Sequence, residues 1–177
     1  MNHMFLKFVE ALSKYDIDIK NNYEIYRNMQ QKSSFPVFQK SNEVMEENIL
    51  FHVFSPKKPT NKVLIYLHGG GWTTGSIKNY AHILRKLATE LNRNVIAIEY
   101  PLAPEHPFPE GFHVCYDGVK IIFDVADKYH IEMDDAVIMG DSAGANLATA
   151  VCLKAKKTKD FKIQKQILIY PIVQTNF

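Results

Sequence analysis

The stretch Gly140-Asp141-Ser142-Ala143-Gly144 lies between an apolar run at residues 136–139 and a run of small residues at 145–151. A buried strand, a tight turn and a helix packed closely on a sheet would produce this order. The G-x-S-x-G pattern in such a context indicates a nucleophile elbow, a strained strand-to-helix turn that lifts the serine hydroxyl above the sheet. Glycines suit this turn because side chains in their place would collide with the neighbouring strand and helix. Ser142 is therefore the candidate nucleophile.

A second glycine-rich stretch, His68-Gly69-Gly70-Gly71-Trp72, directly follows the apolar run Val63 to Leu67, which is typical of a central parallel strand. Consecutive glycines leave backbone N–H groups unobstructed. Such a loop can point two donors at a developing oxyanion, an interaction that contributes strongly to acyl-transfer catalysis. A phosphate-binding loop and a purely structural turn are the alternatives. Neither a Lys-Ser/Thr pair nor G-x-G-x-x-G accompanies these glycines, which disfavours phosphate binding.

Apolar runs and helical patterns alternate along most of the chain, which predicts an α/β fold with a mostly parallel sheet and helices on both faces. The predicted strands are Ile49–Phe54 as an outer strand, then Val63–Leu67, Val95–Ile98, Ala136–Met139 and Gln166–Tyr170. Predicted helices follow the second strand, occupy residues 112–129, and follow the elbow. Residues 31–43 are interpreted as a polar connection. Residues 4–30 are interpreted as two short amphipathic helices broken around residues 16–22.

Composition and charge exclude several classes of function. The net charge of +2 is too small to indicate nucleic acid or an anionic membrane as partner. No apolar run approaches the ~20 residues that a membrane span needs, and no signal-peptide pattern opens the chain. The histidines are scattered without metal-ligand spacing, and Cys115 and Cys152 lie in predicted helices as buried reduced thiols. These features predict a cytoplasmic protein without a metal site.

Three blocks together resemble the signature blocks of the hormone-sensitive-lipase-like group of α/β-hydrolase esterases. They are His68–Trp72, Glu99–Pro109 and Gly140–Asn146, and they occur in that family's order and spacing. The resemblance extends from about residue 44 to residue 173. It implies a helical cap-like segment at residues 1–43 and an α/β-hydrolase catalytic domain from residue 44 onward. It also implies hydrolysis of carboxylic esters with small or medium acyl groups, through an acyl-enzyme and without a cofactor.

The resemblance also implies roles for individual residues. Ser142 would be the nucleophile, and His68 would hold the glycine loop by hydrogen bonds rather than act as a base. Residues 100–109 would form a long turn that braces the site. Trp72 and the N-terminal helices would line an acyl or alcohol pocket. The backbone N–H groups of the oxyanion hole would be those of Gly70, Gly71 and Ala143.

The resemblance is incomplete in one respect, the base. In this fold the orienting acid and the histidine follow the serine along the chain. All seven histidines precede Ser142, and Asp160 is the only acidic residue after it. We therefore expect the sequence to represent the N-terminal portion of such a domain, without its C-terminal strands and with low or no activity alone. Substitution of the base by His106 or His113 is disfavoured, because the resemblance places both in bracing or packing roles.

Two other interpretations remain open. In one, the chain is a non-catalytic remnant that binds a small ligand in the nest of glycine N–H groups. In the other, it is one half of a split hydrolase that another chain completes. The strand at Ile167–Tyr170 would be internal in the complete family sheet. Here we expect it to form an exposed apolar edge, which favours pairing with a second copy or a complementing chain.

Overall fold

The computed structural model describes residues 22–28 and 41–173. The chain divides into two units, Met1–Ser33 and Ser34–Phe177. In the first unit, residues 22–28 form one short helix, where the second N-terminal helix is predicted. The first predicted helix lies outside the described residues, and the cap-like role of residues 1–43 stays a prediction.

The described part of the second unit contains one sheet of six strands and three helices. The strands are β1 (Asn42–Glu46), β2 (Ile49–Phe54), β3 (Lys62–Leu67), β4 (Asn94–Ile98), β5 (Glu132–Asp141) and β6 (Lys165–Ile169). The helices are α1 (Ile77–Leu91), α2 (Glu110–Asp124) and α3 (Ala143–Thr158). The strand order is β1-β2-β4-β3-β5-β6. The last four strands in that order are mutually parallel, and β2 pairs antiparallel with both neighbours. The predicted α/β class and mostly parallel sheet are confirmed.

Helices cover both faces of the sheet because consecutive strand residues point to opposite sides. On one face, Leu84 of α1 packs with Leu64 and other buried strand residues. On the other face, Val119 of α2 and Val151 of α3 pack with Ile65. Burying such an aliphatic side chain contributes about 1.5–3 kcal/mol relative to leaving it exposed. The two apolar layers hold the sheet together, and the carboxyl ends of its parallel strands lie side by side. The candidate site lies at these strand ends.

The first edge of the sheet differs from the prediction. Ile49–Phe54 is not an outer strand, because β1 pairs along its free side in an antiparallel hairpin. Part of β1 falls in the residues predicted as a connection. The hairpin turns at Glu47 and Asn48, which have φ values of 49° and 67°, the pair of positive angles that a two-residue type I′ turn needs. β1 is mainly solvent-exposed and polar, so it lacks the apolar pattern that revealed the other strands.

The opposite edge agrees with the prediction. Within the described residues β6 pairs only with β5, and Ile167 and Leu168 are 42% and 37% exposed. The exposed apolar edge is therefore present there, while association through it stays a prediction. Cys115 and Cys152 lie in α2 and α3 as free thiols, but only Cys115 is buried as predicted, since Cys152 is partly exposed. α2 ends at Asp124, earlier than the predicted residue 129.

Candidate active site

Ser142 occupies a sharp turn between β5 and α3. Its backbone has φ 51° and ψ −118°, a conformation that costs a non-glycine residue about 1–3 kcal/mol. Its N–H donates a 2.9 Å hydrogen bond to the carbonyl oxygen of Ile169, which ties the turn to the end of β6. The residue itself is partly exposed. The geometry is that of a nucleophile elbow, with the serine presented at the carboxyl edge of the sheet.

The glycines on either side of this turn are required by close backbone approach. A Cβ on Gly140 would lie 2.5 Å from the carbonyl carbon of Gly144. A Cβ on Gly144 would lie 2.1 Å from the carbonyl oxygen of Leu67, at the end of β3. The start of α3 therefore packs directly on two strand ends, as the sequence pattern predicts.

Residues 68–72 form a glycine-rich loop after β3, the glycine loop. The carbonyl oxygen of Gly70 accepts hydrogen bonds from the N–H groups of Thr73 (3.2 Å) and Thr74 (2.9 Å), so the chain folds back on itself there. Gly70 and Gly71 have φ values of 129° and 60°. Among the hydrogen bonds of the described residues, none is donated by the N–H of Gly70, Gly71 or Ala143. These donors are available to a ligand.

His68 is fully buried, and its contacts are with the glycine loop and with Tyr100. Its ring stacks on Tyr100, with centroids 4.3 Å apart, and its Nδ1 lies 2.8 Å from the carbonyl oxygen of Gly69. The Tyr100 hydroxyl donates to the carbonyl oxygen of His68 at 2.7 Å. Burial lowers the pKa of His68, which favours the neutral ring. The N–H of Ala103 donates to the carbonyl oxygen of Trp72 at 2.9 Å, so the segment after β4 supports the glycine loop.

Glu99 is a component of the site region to which the sequence analysis gave no role. Its Oε2 accepts the N–H of Ile77 at 3.0 Å, at the first residue of α1. The carboxylate also lies 3.7 Å from Nε2 of His52 and 3.9 Å from Nε2 of His68. Burial raises the pKa of Glu99 and lowers that of His52. Its position at the start of the Glu99–Pro109 block was the signal available in the sequence.

Asp141 precedes the candidate nucleophile but faces away from it. Its carboxylate accepts hydrogen bonds from the hydroxyls of Tyr66 (2.7 Å) and Tyr80 (2.9 Å) and from the N–H of Gly69 (3.0 Å). Burial, reinforced by the carboxylate, raises the pKa of both tyrosines. These contacts leave Asp141 out of position to act as a base for Ser142. The tyrosines were not predicted, because nothing in their local sequence marks them.

A cavity of about 630 Å³ opens beside the glycine loop. Its volume is in the range of small-molecule sites, about 300–1,000 Å³. Its wall is largely apolar and includes the aromatic residues Trp72, Tyr100, Phe108 and Phe112, with Gly71 and Asn146 among the other lining residues. Asn146 lies one helical turn after Ser142, so the cavity adjoins both the elbow and the glycine loop.

No histidine hydrogen-bonds to Ser142 within residues 22–28 and 41–173. His106 lines the cavity, but its Nδ1 lies 2.8 Å from a carboxylate oxygen of Glu110. His113 is exposed on α2. In the same part of the chain, no cluster of three or more His, Cys, Asp or Glu side chains is arranged to hold a metal ion. None of the described helices combines the length and apolarity needed to cross a bilayer.

The chain matches the model of the family described as the alpha/beta hydrolase fold over residues 64–177, and it belongs to this family. It is 39% identical over 142 residues to the arylacetamide deacetylase of Oryctolagus cuniculus, covering 75% of this chain and 36% of that protein. It is 36% identical over 122 residues to an arylesterase of Saccharolobus solfataricus, covering 68% of this chain and 40% of the relative.

A solved arylesterase structure aligns with a TM-score of 0.83 and 28% identity, covering 100% of this chain and 62% of that chain. The chain thus spans 36–40% of the length of these two curated relatives. The α/β-hydrolase fold and the resemblance to the hormone-sensitive-lipase-like esterases are confirmed.

Proposed function

We propose that the protein is a carboxylic-ester hydrolase in which Ser142 is the nucleophile. The observation that carries this proposal is the position of Ser142 on a strained turn, flanked by N–H groups without an acceptor in the described chain. The names of the relatives, an arylesterase and a deacetylase among them, support the same class of reaction.

In the proposed reaction the Ser142 oxygen forms a bond to the ester carbonyl carbon, and the carbonyl electron pair moves onto its oxygen. The N–H groups of Gly70, Gly71 and Ala143 donate to this oxyanion. Collapse of the intermediate breaks the carbon–oxygen bond to the alcohol, which leaves with a proton, and water then releases the acid from the acyl-enzyme. Loss of one oxyanion donor in comparable enzymes costs about 10²–10³-fold in rate.

The proton of Ser142 requires a base, and no described histidine hydrogen-bonds to Ser142. We propose that the base and its orienting carboxylate come from polypeptide that pairs with the free edge of β6. Loops at the carboxyl end of a strand added there would lie next to the elbow, because Ser142 is hydrogen-bonded to Ile169 of β6. The exposed Leu168 makes this edge able to associate with a second copy or a complementing chain.

The edge proposal is tested by sedimentation of the purified chain and of Leu168→Lys. Concentration-dependent association that the lysine weakens would support it, because a charge on a strand edge opposes pairing. Leu153→Lys, at an exposed position on α3, is the matched control, because it makes the same change away from β6. Monomeric behaviour of the unmodified chain at high concentration would argue against association through β6.

The test of the nucleophile is mass spectrometry after treatment with a fluorophosphonate probe. We expect one adduct at Ser142, absent in Ser142→Ala and unchanged in Ser55→Ala, whose serine is exposed on the surface. An adduct that persists in Ser142→Ala would exclude Ser142 as the nucleophile. A folded chain without any adduct, even at concentrations where it associates, would favour the second candidate function.

That second candidate is ligand binding without turnover, and the absence of a histidine partner for Ser142 among the described residues favours it. The same N–H nest would hold a carboxylate or an ester, and the aromatic cavity would take its apolar group. Saturable binding of a short-chain carboxylate, with no reaction at Ser142, distinguishes this function from hydrolysis.

A further inference from the structure

We infer that Asp141 is a positioning residue that sets the glycine loop at a fixed distance from Ser142. The inference rests on the proposed function, in which the loop supplies oxyanion donors and Ser142 attacks. It assigns to Asp141 no contact with substrate. Its action is through Gly69, the residue directly before the two glycine donors.

The carboxylate of Asp141 receives donors from four segments. Oδ1 accepts from Tyr66 on β3 at 2.7 Å and from the N–H of Gly69 at 3.0 Å. Oδ2 accepts from Tyr80 on α1 at 2.9 Å and from Tyr170, just after β6, at 3.4 Å. Asp141 is only 6% exposed, so these groups replace water as its hydrogen-bond partners.

Contact between the carboxylate and the glycine loop is close as well as polar. A Cβ added to Gly69 would lie 2.3 Å from Oδ2 and 2.8 Å from the carbonyl oxygen of Asp141. The loop therefore rests directly on the residue that precedes the nucleophile. The contact between Gly69 and Asp141 joins the glycine loop after β3 to the last residue of β5, directly before Ser142.

The donors differ in how well they tolerate loss of the carboxylate. A tyrosine hydroxyl can rotate and accept or donate elsewhere, whereas the Gly69 N–H has one fixed direction and no ability to accept. A neutral amide at position 141 keeps one acceptor oxygen for Gly69 and presents an NH₂ group to the tyrosine oxygens. Replacement by alanine removes the acceptor altogether.

A misplacement of about 1 Å in a catalytic arrangement can cost about 10²-fold in rate. We therefore expect Asp141→Ala to slow phosphonylation of Ser142 by about 10–100-fold, and Asp141→Asn to restore the rate to within about fivefold of wild type. Tyr129→Phe removes a hydroxyl that donates to Glu46 of β1 and takes no part in the Asp141 contacts, and it should react at the wild-type rate. Circular dichroism of each variant checks that it is folded.

A second readout, amide hydrogen exchange of the protein without any probe, does not depend on reactivity at Ser142. The Gly69 amide should exchange markedly more slowly than the Gly71 amide, and Asp141→Ala should remove this protection while Asp141→Asn keeps it. Equal exchange at Gly69 and Gly71 would overturn the inference, as would an Asp141→Asn variant as slow as Asp141→Ala. If wild type does not react at Ser142, the proposed function fails, and the exchange rates alone decide the role of Asp141.

Discussion

The Cα of Gly144 lies so close to the carbonyl oxygen of Leu67 that an added Cβ would stand 2.1 Å from it. This contact sets how near α3 approaches the end of β3. Because Ser142 lies two residues before Gly144 and the glycine loop begins one residue after Leu67, it also sets the spacing of the two parts of the site. Packing at a single glycine thus sets the distance between the turn at Ser142 and the glycine loop.

Replacing Gly144 with alanine should lower the free energy of unfolding by about 1–3 kcal/mol, because backbone atoms must move to admit the methyl group. Urea denaturation measures the change. Gly118→Ala is the matched control, since its Cβ would meet the flexible end of Ile98 at 3.0 Å rather than backbone. We expect that variant to be nearly neutral, with a helix-propensity gain of up to about 1 kcal/mol offsetting the contact. Equal stability losses in the two variants would contradict this account.

Strain at Ser142 gives a prediction with an unusual sign. Glycine adopts φ 51° and ψ −118° more readily than alanine does. The free energy of unfolding of Ser142→Gly should therefore be about 1 kcal/mol higher than that of Ser142→Ala. At an unstrained position the glycine variant is normally the less stable of the two. Neither variant should form an adduct with the fluorophosphonate probe. Thermal and urea unfolding of the pair provide the measurement, and a more stable alanine variant would show that the turn is unstrained.

Trp72 is the sole tryptophan and lines the cavity beside the glycine loop. Its fluorescence should therefore change on titration with short-chain carboxylates or with esters of medium acyl length. Phe112→Ala, also in the cavity lining, should weaken binding by about 10–100-fold, since loss of an aromatic contact with the ligand removes on the order of 2 kcal/mol. Phe123→Ala is a comparable truncation outside the cavity lining. It should leave the titration unchanged, and equal effects of both variants would contradict the assigned pocket.

Stability should fall as the pH is lowered from 7 toward 5.5. Burial lowers the pKa of His52 and His68 below the value of 6.5 expected in the unfolded chain. The unfolded state therefore binds more protons, and the stability present above pH 6.5 is lost as the pH falls through the folded pKa values. Each histidine contributes a slope of up to about 1.4 kcal/mol per pH unit.

The raised pKa of Glu99 acts in the opposite sense, since its contribution is lost as the pH rises. Comparison of wild type with His52→Gln isolates one histidine from this effect. Urea unfolding at several pH values should show a shallower slope for the variant. Identical slopes would mean that His52 takes up no extra proton on unfolding.

The sequence was informative where local pattern and tertiary requirement coincide. The apolar run Val63–Leu67 and the spacing of Gly140 and Gly144 predicted a buried strand and an elbow, and both are present. β1 was missed because it is an exposed polar edge strand held by its hairpin partner rather than by an apolar face. The groups that lie near Ser142 were not predictable either, since they depend on how the fold brings distant segments to the elbow.

By itself the sequence determined the alternation of strands and helices, the positions of both glycine stretches and the candidacy of Ser142. These follow from side-chain volume and backbone freedom, which are properties of single residues and their close neighbours. Only the tertiary structure decided that Asp141 would meet Tyr66, Tyr80 and Gly69, and that Glu99 would lie near His52 and His68. Those contacts join residues far apart in the chain, and their geometry depends on the strand order and helix packing of the whole sheet.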